Sequence, residues 1–260
     1  MILDEIAAKT RERVAAARLQ TSLEEMKRRA EALDSNTGFP FEKALRADKD
    51  VAFICEAKKA SPSKGVIAED FPYLQIAKDY EAAGAAAISV LTEPFWFQGS
   101  NDYLKEIAAA VSIPVLRKDF TVDEYMIYEA KVLGASAVLL ICAILDTETI
   151  RRYIGIADSL GLSALVEAHD EEEVRSALAA GARIIGVNNR DLKTFTVDIG
   201  NSARYRKLVP EEILFVSESG IRTAEDIRRL RENGTDAVLI GETLMRSADK
   251  AAELRKLRGC

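Results

Sequence analysis

Four segments of this chain repeat one pattern, and that pattern leaves few folds open. Gly84-Ala-Ala-Ala-Ile-Ser-Val, Gly134-Ala-Ser-Ala-Val-Leu-Leu, Gly181-Ala-Arg-Ile-Ile-Gly-Val and Gly234-Thr-Asp-Ala-Val-Leu-Ile each join a glycine and small residues to an apolar run. The glycines stand 50, 47 and 53 residues apart. A glycine at such a point fits the left-handed cap after a helix, and the run fits a strand buried on both faces of a parallel sheet. Four more strand-like runs fall between them, at Val51–Glu56, Ile113–Leu116, Ser163–Val166 and Ile213–Val216. Eight strands alternating with helical stretches predict a closed α/β fold, a single (β/α)8 TIM barrel.

Helix starts agree with this spacing. Thr121-Val-Asp-Glu124, Asp170-Glu-Glu-Glu173 and Thr223-Ala-Glu-Asp226 read as N-caps with a carboxylate three residues on, each soon after a strand. Longer loops are expected at Lys58–Asp70, Thr92–Ser100 and Asn189–Gly200, where function usually sits. Residues 1–48 fall outside the repeat and contain the capping box Ser22-Leu-Glu-Glu25. They are read as an N-terminal helical extension packed on the barrel of residues 49–260. Covering a barrel end and walling the active site are both open to it.

Composition excludes several functions. Lys plus Arg total 36 against 42 for Asp plus Glu, a net charge of −6 that argues against nucleic acid as a partner. No apolar run reaches bilayer length, the longest being Ala137–Leu145, and Met1–Arg18 is charged throughout. The expectation is a cytoplasmic protein with no membrane partner. Cys55, Cys142 and Cys260 have neither metal-ligand nor redox-motif spacing and read as reduced thiols. His169 is the single histidine, so a His-based triad or multi-His metal site is hard to build, and no metal or cofactor is expected. Acid–base work then falls to Lys, Glu and Asp. His169 itself reads as a solvated turn residue and Cys142 as packing.

In such barrels chemistry sits at the C-terminal strand ends. Reading the residue where each apolar run stops gives Glu56 and Lys58, Glu93, Arg117-Lys118-Asp119, Glu167, Asn188-Asn189-Arg190, Glu218-Ser219-Gly220 and Gly241-Glu242. Side chains alternate along a strand, so Glu56 and Lys58 both face the mouth while Cys55 turns away. One pair of opposite charges would read as a salt bridge, but lysines and glutamates at most strand ends read as a polar site. Glycines after the seventh and eighth strands let backbone N–H groups approach a phosphate. The partner is then a small phosphorylated molecule. Phe95-Trp96-Phe97 cannot all point one way, so at least one lines the mouth and can stack on an aryl group.

Glu56-Ala-Lys-Lys-Ala-Ser-Pro-Ser-Lys-Gly65, Arg117-Lys-Asp-Phe120, Leu165-Val-Glu167, Asn188-Asn-Arg-Asp-Leu192, Val216-Ser-Glu-Ser-Gly220 and Ala237-Val-Leu-Ile-Gly-Glu-Thr-Leu-Met245 together resemble the indole-3-glycerol-phosphate synthase family. The likeness runs in order from about residue 2 to 248 and includes the helical extension. The resemblance implies a carboxy-lyase of tryptophan biosynthesis. Its substrate is 1-(2-carboxyphenylamino)-1-deoxyribulose 5-phosphate, and its products are indole-3-glycerol phosphate, carbon dioxide and water. Lys118 matches the principal general acid, Glu167 its partner carboxylate and Lys58 the second catalytic lysine. Glu56, Asn188 and Glu218 match residues that orient the lysines and sugar hydroxyls, and Glu56 and Glu167 both remain open as the base in dehydration. Ser61, Arg190, Phe97 and Phe120 are expected to contact substrate. Ser219, Gly220, Gly241 and Glu242 fall at the phosphate site. A monomer is expected, with at most weak association with other enzymes of that pathway. Ala57 and Ala168 depart from the family's usual residues at positions expected to face away from the mouth.

Two rivals remain. Phosphoribosylanthranilate isomerase would share the phosphate loops but should lack the Lys-Lys-Ala-Ser-Pro-Ser loop and the extension, and would use a Cys/Asp pair. A non-catalytic phosphosugar sensor on the same fold would have no need of Lys118, Glu167 and Lys58.

Overall fold

The computed structural model describes residues 2–48, 50–191 and 194–259. Cys260 and Leu192, named above, lie outside the described residues. The barrel strands are β1 (Ala52–Ala57), β2 (Ala87–Leu91), β3 (Val115–Lys118), β4 (Ala137–Ile141), β5 (Ser163–Ala168), β6 (Ile184–Asn188), β7 (Leu214–Glu218) and β8 (Ala237–Ile240). Each pairs in parallel with its neighbours in sequence, and β8 closes on β1. The four repeat glycines have φ of 84°, 88°, 87° and 81°. Each sits just before its strand in a conformation that side chains disfavour, which is why the repeat carries glycine.

The strands run past the ends of the apolar runs. Lys118 pairs with Leu91, Glu167 with Ile141 and Glu218 with Asn188, so these charged residues belong to the sheet itself. The apolar run stops where the barrel interior turns polar, while the backbone ladder continues because its hydrogen bonds do not depend on side-chain polarity.

Alternation sorts the side chains into two cores. Phe53, Cys55 and Ala57 face outward into the layer between strands and helices, as does Ala168. Ala52, Ile54, Leu116, Leu139, Leu165 and Val216 fill the barrel interior. Phe41 and Leu45, from the helix α3 (Pro40–Ala47), join that inner cluster and close the N-terminal end of the barrel. Helix α1 (Ile2–Gln20) goes to the opposite end, where Ile2, Leu3 and Ile6 line the mouth. The extension therefore both plugs one end and walls the other. Between them α2 (Leu23–Glu31) packs against α6 (Tyr125–Val132).

Ser22, Asp170 and Thr223 cap helices as expected, and Thr223 with Asp226 forms a reciprocal capping box. Thr121 does not cap. It is buried, and Asp123 instead accepts the Tyr125 N–H at 2.9 Å, so the helix starts later. Around the barrel lie α4 (Tyr73–Ala82), α5 (Asn101–Ala110), α7 (Thr147–Ser159), α8 (Glu171–Ala180), α9 (Gly200–Arg206), α10 (Ala224–Glu232), α11 (Glu242–Arg246) and α12 (Lys250–Arg258). Among the described residues no helix is long and apolar enough to cross a membrane.

Candidate active site

At the C-terminal strand ends lies a cavity of about 560 Å³. Its floor is the first polar layer above the apolar interior. Glu56, Lys118, Glu167, Asn188 and Glu218 each occupy an inward position of a different strand. Lys118 Nζ lies 3.2 Å from Glu167 Oε2 and 3.4 Å from Glu218 Oε2. Lys58, just past β1, places its Nζ 2.7 Å from Glu56 Oε1. Asn188 Nδ2 donates to Glu167 Oε1 at 3.2 Å. The neighbours in sequence turn the other way: Arg117 bonds Glu129 at 2.6 Å and the Met126 carbonyl at 2.8 Å behind the barrel.

Two glycines make room for this layer. A Cβ on Gly186 would come 2.2 Å from Glu218 Oε1, and one on Gly241 would come 2.7 Å from Glu56 Oε1. Small side-chain volume at these points lets the carboxylates lean across the mouth.

The charges set one another. Burial works against the Lys118 ammonium, but Glu167, Glu218 and Glu56 outweigh it and raise its pKa. Burial also pushes the Glu167 carboxyl up, yet Lys118, His169 and Asn188 overcome this and hold it well below the usual range. For Glu218, burial together with Glu167 and Glu56 prevails over Lys118 and raises the pKa to about 8. At neutral pH the layer thus holds a cationic Lys118 and an ionised Glu167, with Glu218 shifted toward its protonated form.

On the rim, Ser61 belongs to a two-residue ribbon, Ala60–Ser61 paired with Gly65–Val66, that folds the basic loop down onto the mouth. Lys64 on this loop reaches to 3.7 Å from Glu242. The Glu242 carboxylate also lies 3.2 Å from Arg246 and 4.0 Å from Arg190. Ser219 has φ 67° and Gly220 φ 84°, a left-handed pair in which the serine carries backbone strain. Buried Asn189 holds that turn, donating to the Ser219 carbonyl at 3.1 Å and to Ser217 Oγ at 3.0 Å. Phe97 and Phe120 face each other with ring centroids 6.0 Å apart, leaving an apolar wall beside the charged floor.

All fourteen residues expected to act on or contact the substrate, from Glu56 to Glu242, line this one cavity. Others were missed. Ile2, Leu3, Ile6, Leu139, Ile141 and Phe195 also line it, and a search for charged residues at strand ends is blind to them. Parity along β4 would have found Leu139 and Ile141.

Two readings are corrected. Glu93 does not face the cavity: it is buried and accepts the N–H groups of Phe95, Trp96 and Phe97 at 2.9, 2.7 and 3.0 Å, stapling their loop. His169 is not a solvated turn residue. Its side chain is only 13% exposed and lies between Glu167 and Glu173. Helix α8 starts immediately afterwards, and its third residue folds back over the ring. Cys142 is half-buried in the short 3-10 turn after β4, its thiol donating to the Glu173 carbonyl at 3.5 Å. Among the described residues no group of three or more His, Cys, Asp or Glu side chains is disposed to hold a metal ion.

A closed parallel barrel with lysines and carboxylates interleaved at its C-terminal mouth, and a strained turn after β7, defines a (β/α)8-barrel enzyme built for a small anionic ligand. Similarity searches agree on the fold. 3-Hexulose-6-phosphate synthase from Salmonella typhimurium superposes with a TM-score of 0.66 at 18% identity, covering 80% of this chain and 97% of that one. A mutant tryptophan synthase alpha-subunit from Pyrococcus furiosus gives 0.62 at 16%, covering 82% and 99%.

Sequence relatives are more specific. The family model described as indole-3-glycerol phosphate synthase matches residues 3–257. Proteins of that name from Ruminiclostridium cellulolyticum and Endomicrobium trichonymphae are 65% and 55% identical to this chain, covering 100% and 99% of it and 99% and 100% of their own lengths. The chain belongs to the indole-3-glycerol phosphate synthase family.

Proposed function

We propose that this protein converts 1-(2-carboxyphenylamino)-1-deoxyribulose 5-phosphate to indole-3-glycerol phosphate, carbon dioxide and water, as a carbon–carbon lyase. The observation that carries the reading is Lys118, a buried ammonium held between Glu167 and Glu218 on the floor of the cavity. The substrate is doubly anionic, and the reaction begins with a weakly nucleophilic aromatic carbon attacking a ketone. Lys118 stays cationic across neutral pH, the state required to donate to the ketone oxygen as the ring closes. Attack leaves a cationic, non-aromatic ring bearing the carboxylate. Breaking the bond to that carboxylate returns its electron pair to the ring and releases carbon dioxide, so the intermediate serves as its own electron sink. Dehydration then expels the hydroxyl formed from the ketone with a proton from Lys58, and a carboxylate removes the ring proton. Glu167 is that base in our reading, with Glu56 the alternative.

Ser219, Gly220, Gly241 and Glu242 receive the phosphate through backbone N–H groups, with Arg190 and Ser61 at its side. Phe97 and Phe120 flank the aryl ring. Asn188 and Glu218 orient Lys118 and Glu167 and meet the sugar hydroxyls. Every group comes from one chain, so a monomer is a complete working unit. We place it in the cytoplasm, where the pathway's phosphorylated intermediates are held.

The test is to mix purified protein with the anilino-deoxyribulose phosphate and a chelator and to follow indole fluorescence. A rise that persists with chelator supports the reading. Tight substrate binding with no fluorescence would favour the sensor, and would overturn it.

A further inference from the structure

The sole histidine is not among the residues lining the cavity, yet it touches one that is. His169 Nε2 lies 3.2 Å from Glu167 Oε1, buried and without a well-aligned hydrogen bond to any group. Its other nitrogen, Nδ1, is 3.0 Å from Glu173 Oε2, and that same oxygen accepts the His169 backbone N–H at 2.7 Å. The helix start that carries Glu173 is itself fixed, because the Glu173 backbone N–H donates to the Asp170 side chain at 2.9 Å. The ring therefore has one edge anchored to a rigid helix start and the other aimed at a carboxylate oxygen.

Glu167 divides its two oxygens. Oε1 receives Asn188 and faces His169, while Oε2 faces Lys118. We propose that His169, carried by Glu173, is a positioning residue for Glu167: it fixes Oε1 and leaves Oε2 as the oxygen that exchanges a proton. This rests on the role given above to Glu167.

The arrangement answers a problem in the chemistry. When Lys118 gives up its proton, Glu167 loses the cation that keeps it ionised. A second cation, on the far oxygen, preserves the carboxylate through that step. The groups facing the ring support this. They are Glu167 on β5 and Glu173 on α8; next to them Asn188 on β6 bonds the shared oxygen, and Cys142 after β4, whose thiol is pushed by burial to about 12 and stays neutral, bonds the Glu173 carbonyl. Burial alone would lower the imidazole pKa, but the two carboxylates raise it to about 10.

Because there is one histidine, its state is readable directly. In protein labelled at histidine with carbon-13 and nitrogen-15, the ring is expected to titrate well above its ordinary range, at about 10. His169→Gln keeps a donor near Oε1 without the charge. It is expected to lower kcat about 10-fold or more with KM nearly unchanged, and to move the acid limb of the kcat profile upward. Glu173→Gln leaves the ring in place and is expected to bring the alkaline limb down toward neutrality. It carries the kinetic test if His169→Gln loses its fold. A ring titrating near its ordinary pKa, or variants with wild-type kcat and pH profile, would overturn the proposal. Inactive wild-type protein would instead overturn the proposed reaction, and the labelled ring would still report on the clamp.

Discussion

Lys118 stays charged against its own burial only because carboxylates surround it, and each of those carboxylates answers to the lysine in turn. Removing the side chain takes away the proton donor and also the counter-ion of Glu167. Lys118→Ala is expected to lower kcat by about 10²–10⁴ while inorganic phosphate still binds at the rim. Single-turnover kinetics beside phosphate calorimetry check both halves, and a near-normal kcat would remove Lys118 as the acid. Glu242 makes a contrasting case. Its backbone is assigned to the phosphate, yet its carboxylate sits among Lys64, Arg190 and Arg246, which hold its pKa down despite partial burial. An anion at that place competes with the ligand for the same cations. Removing one charge at about 5 Å in a water-like dielectric is worth about 1 kcal/mol, so Glu242→Ser is expected to tighten inorganic phosphate about 5-fold, less at high salt. Weaker binding would show that the carboxylate orients these side chains instead.

At the scale of elements, the parallel barrel was legible because its signal is local and repeated. A capping glycine followed by an apolar run recurs four times, and the strand-end charges stand out because the interior below them is apolar throughout. Lys118 and Glu167 were readable for that reason. What was not legible depends on contacts between elements distant in the chain. Nothing near His169 announces that Glu173 folds back over its ring, and nothing near Ile6 announces that α1 reaches the mouth. Thr121 looks like a cap until tertiary packing buries it. The N-terminal helix is the clearest instance. Arg13 donates to both oxygens of buried Asp119 at 2.8 Å and to the Thr92 carbonyl at 3.0 Å, tying α1 to the residue next to Lys118. Asp119 keeps its low pKa against burial with help from Arg13 and Arg117. Arg13 is partly exposed, so its loss is expected to cost about 1–3 kcal/mol, below the range for fully buried pairs. Arg13→Ala should lower Tm by about 2–4 °C for each kcal/mol and raise KM as Ile2, Leu3 and Ile6 loosen, which thermal melts and steady-state kinetics will show. An unchanged KM would confine α1 to a structural role.

For the whole molecule, the site opposes stability in a way that pH exposes. His169 binds its proton more tightly folded than unfolded, so its contribution is complete below about pH 6.5 and is lost as pH rises toward about 10. Glu218 also has a raised pKa in the folded state. The unfolded chain ionises it from about pH 4.5 and the folded chain only near 8, so stability declines across that interval too. Glu167 and Asp119 act oppositely: their pKa values are depressed, and the stability they contribute is lost as pH falls into the acid range. The sum places the greatest stability of the unliganded protein near pH 4.5–5, with a decline through pH 9. Glu218→Gln removes one source of that decline. It is expected to flatten the melting curve against pH between about 5 and 8 and to raise Tm at pH 8 by about 2 °C or more, while turnover falls because Lys118 loses a partner. A Tm that climbs from pH 6 to 9 in the wild type, or a Glu218→Gln variant with an unaltered slope, would show that the buried carboxylate is ionised at no cost to folding. Its assigned shift toward the protonated form in the Lys118 layer would then fall.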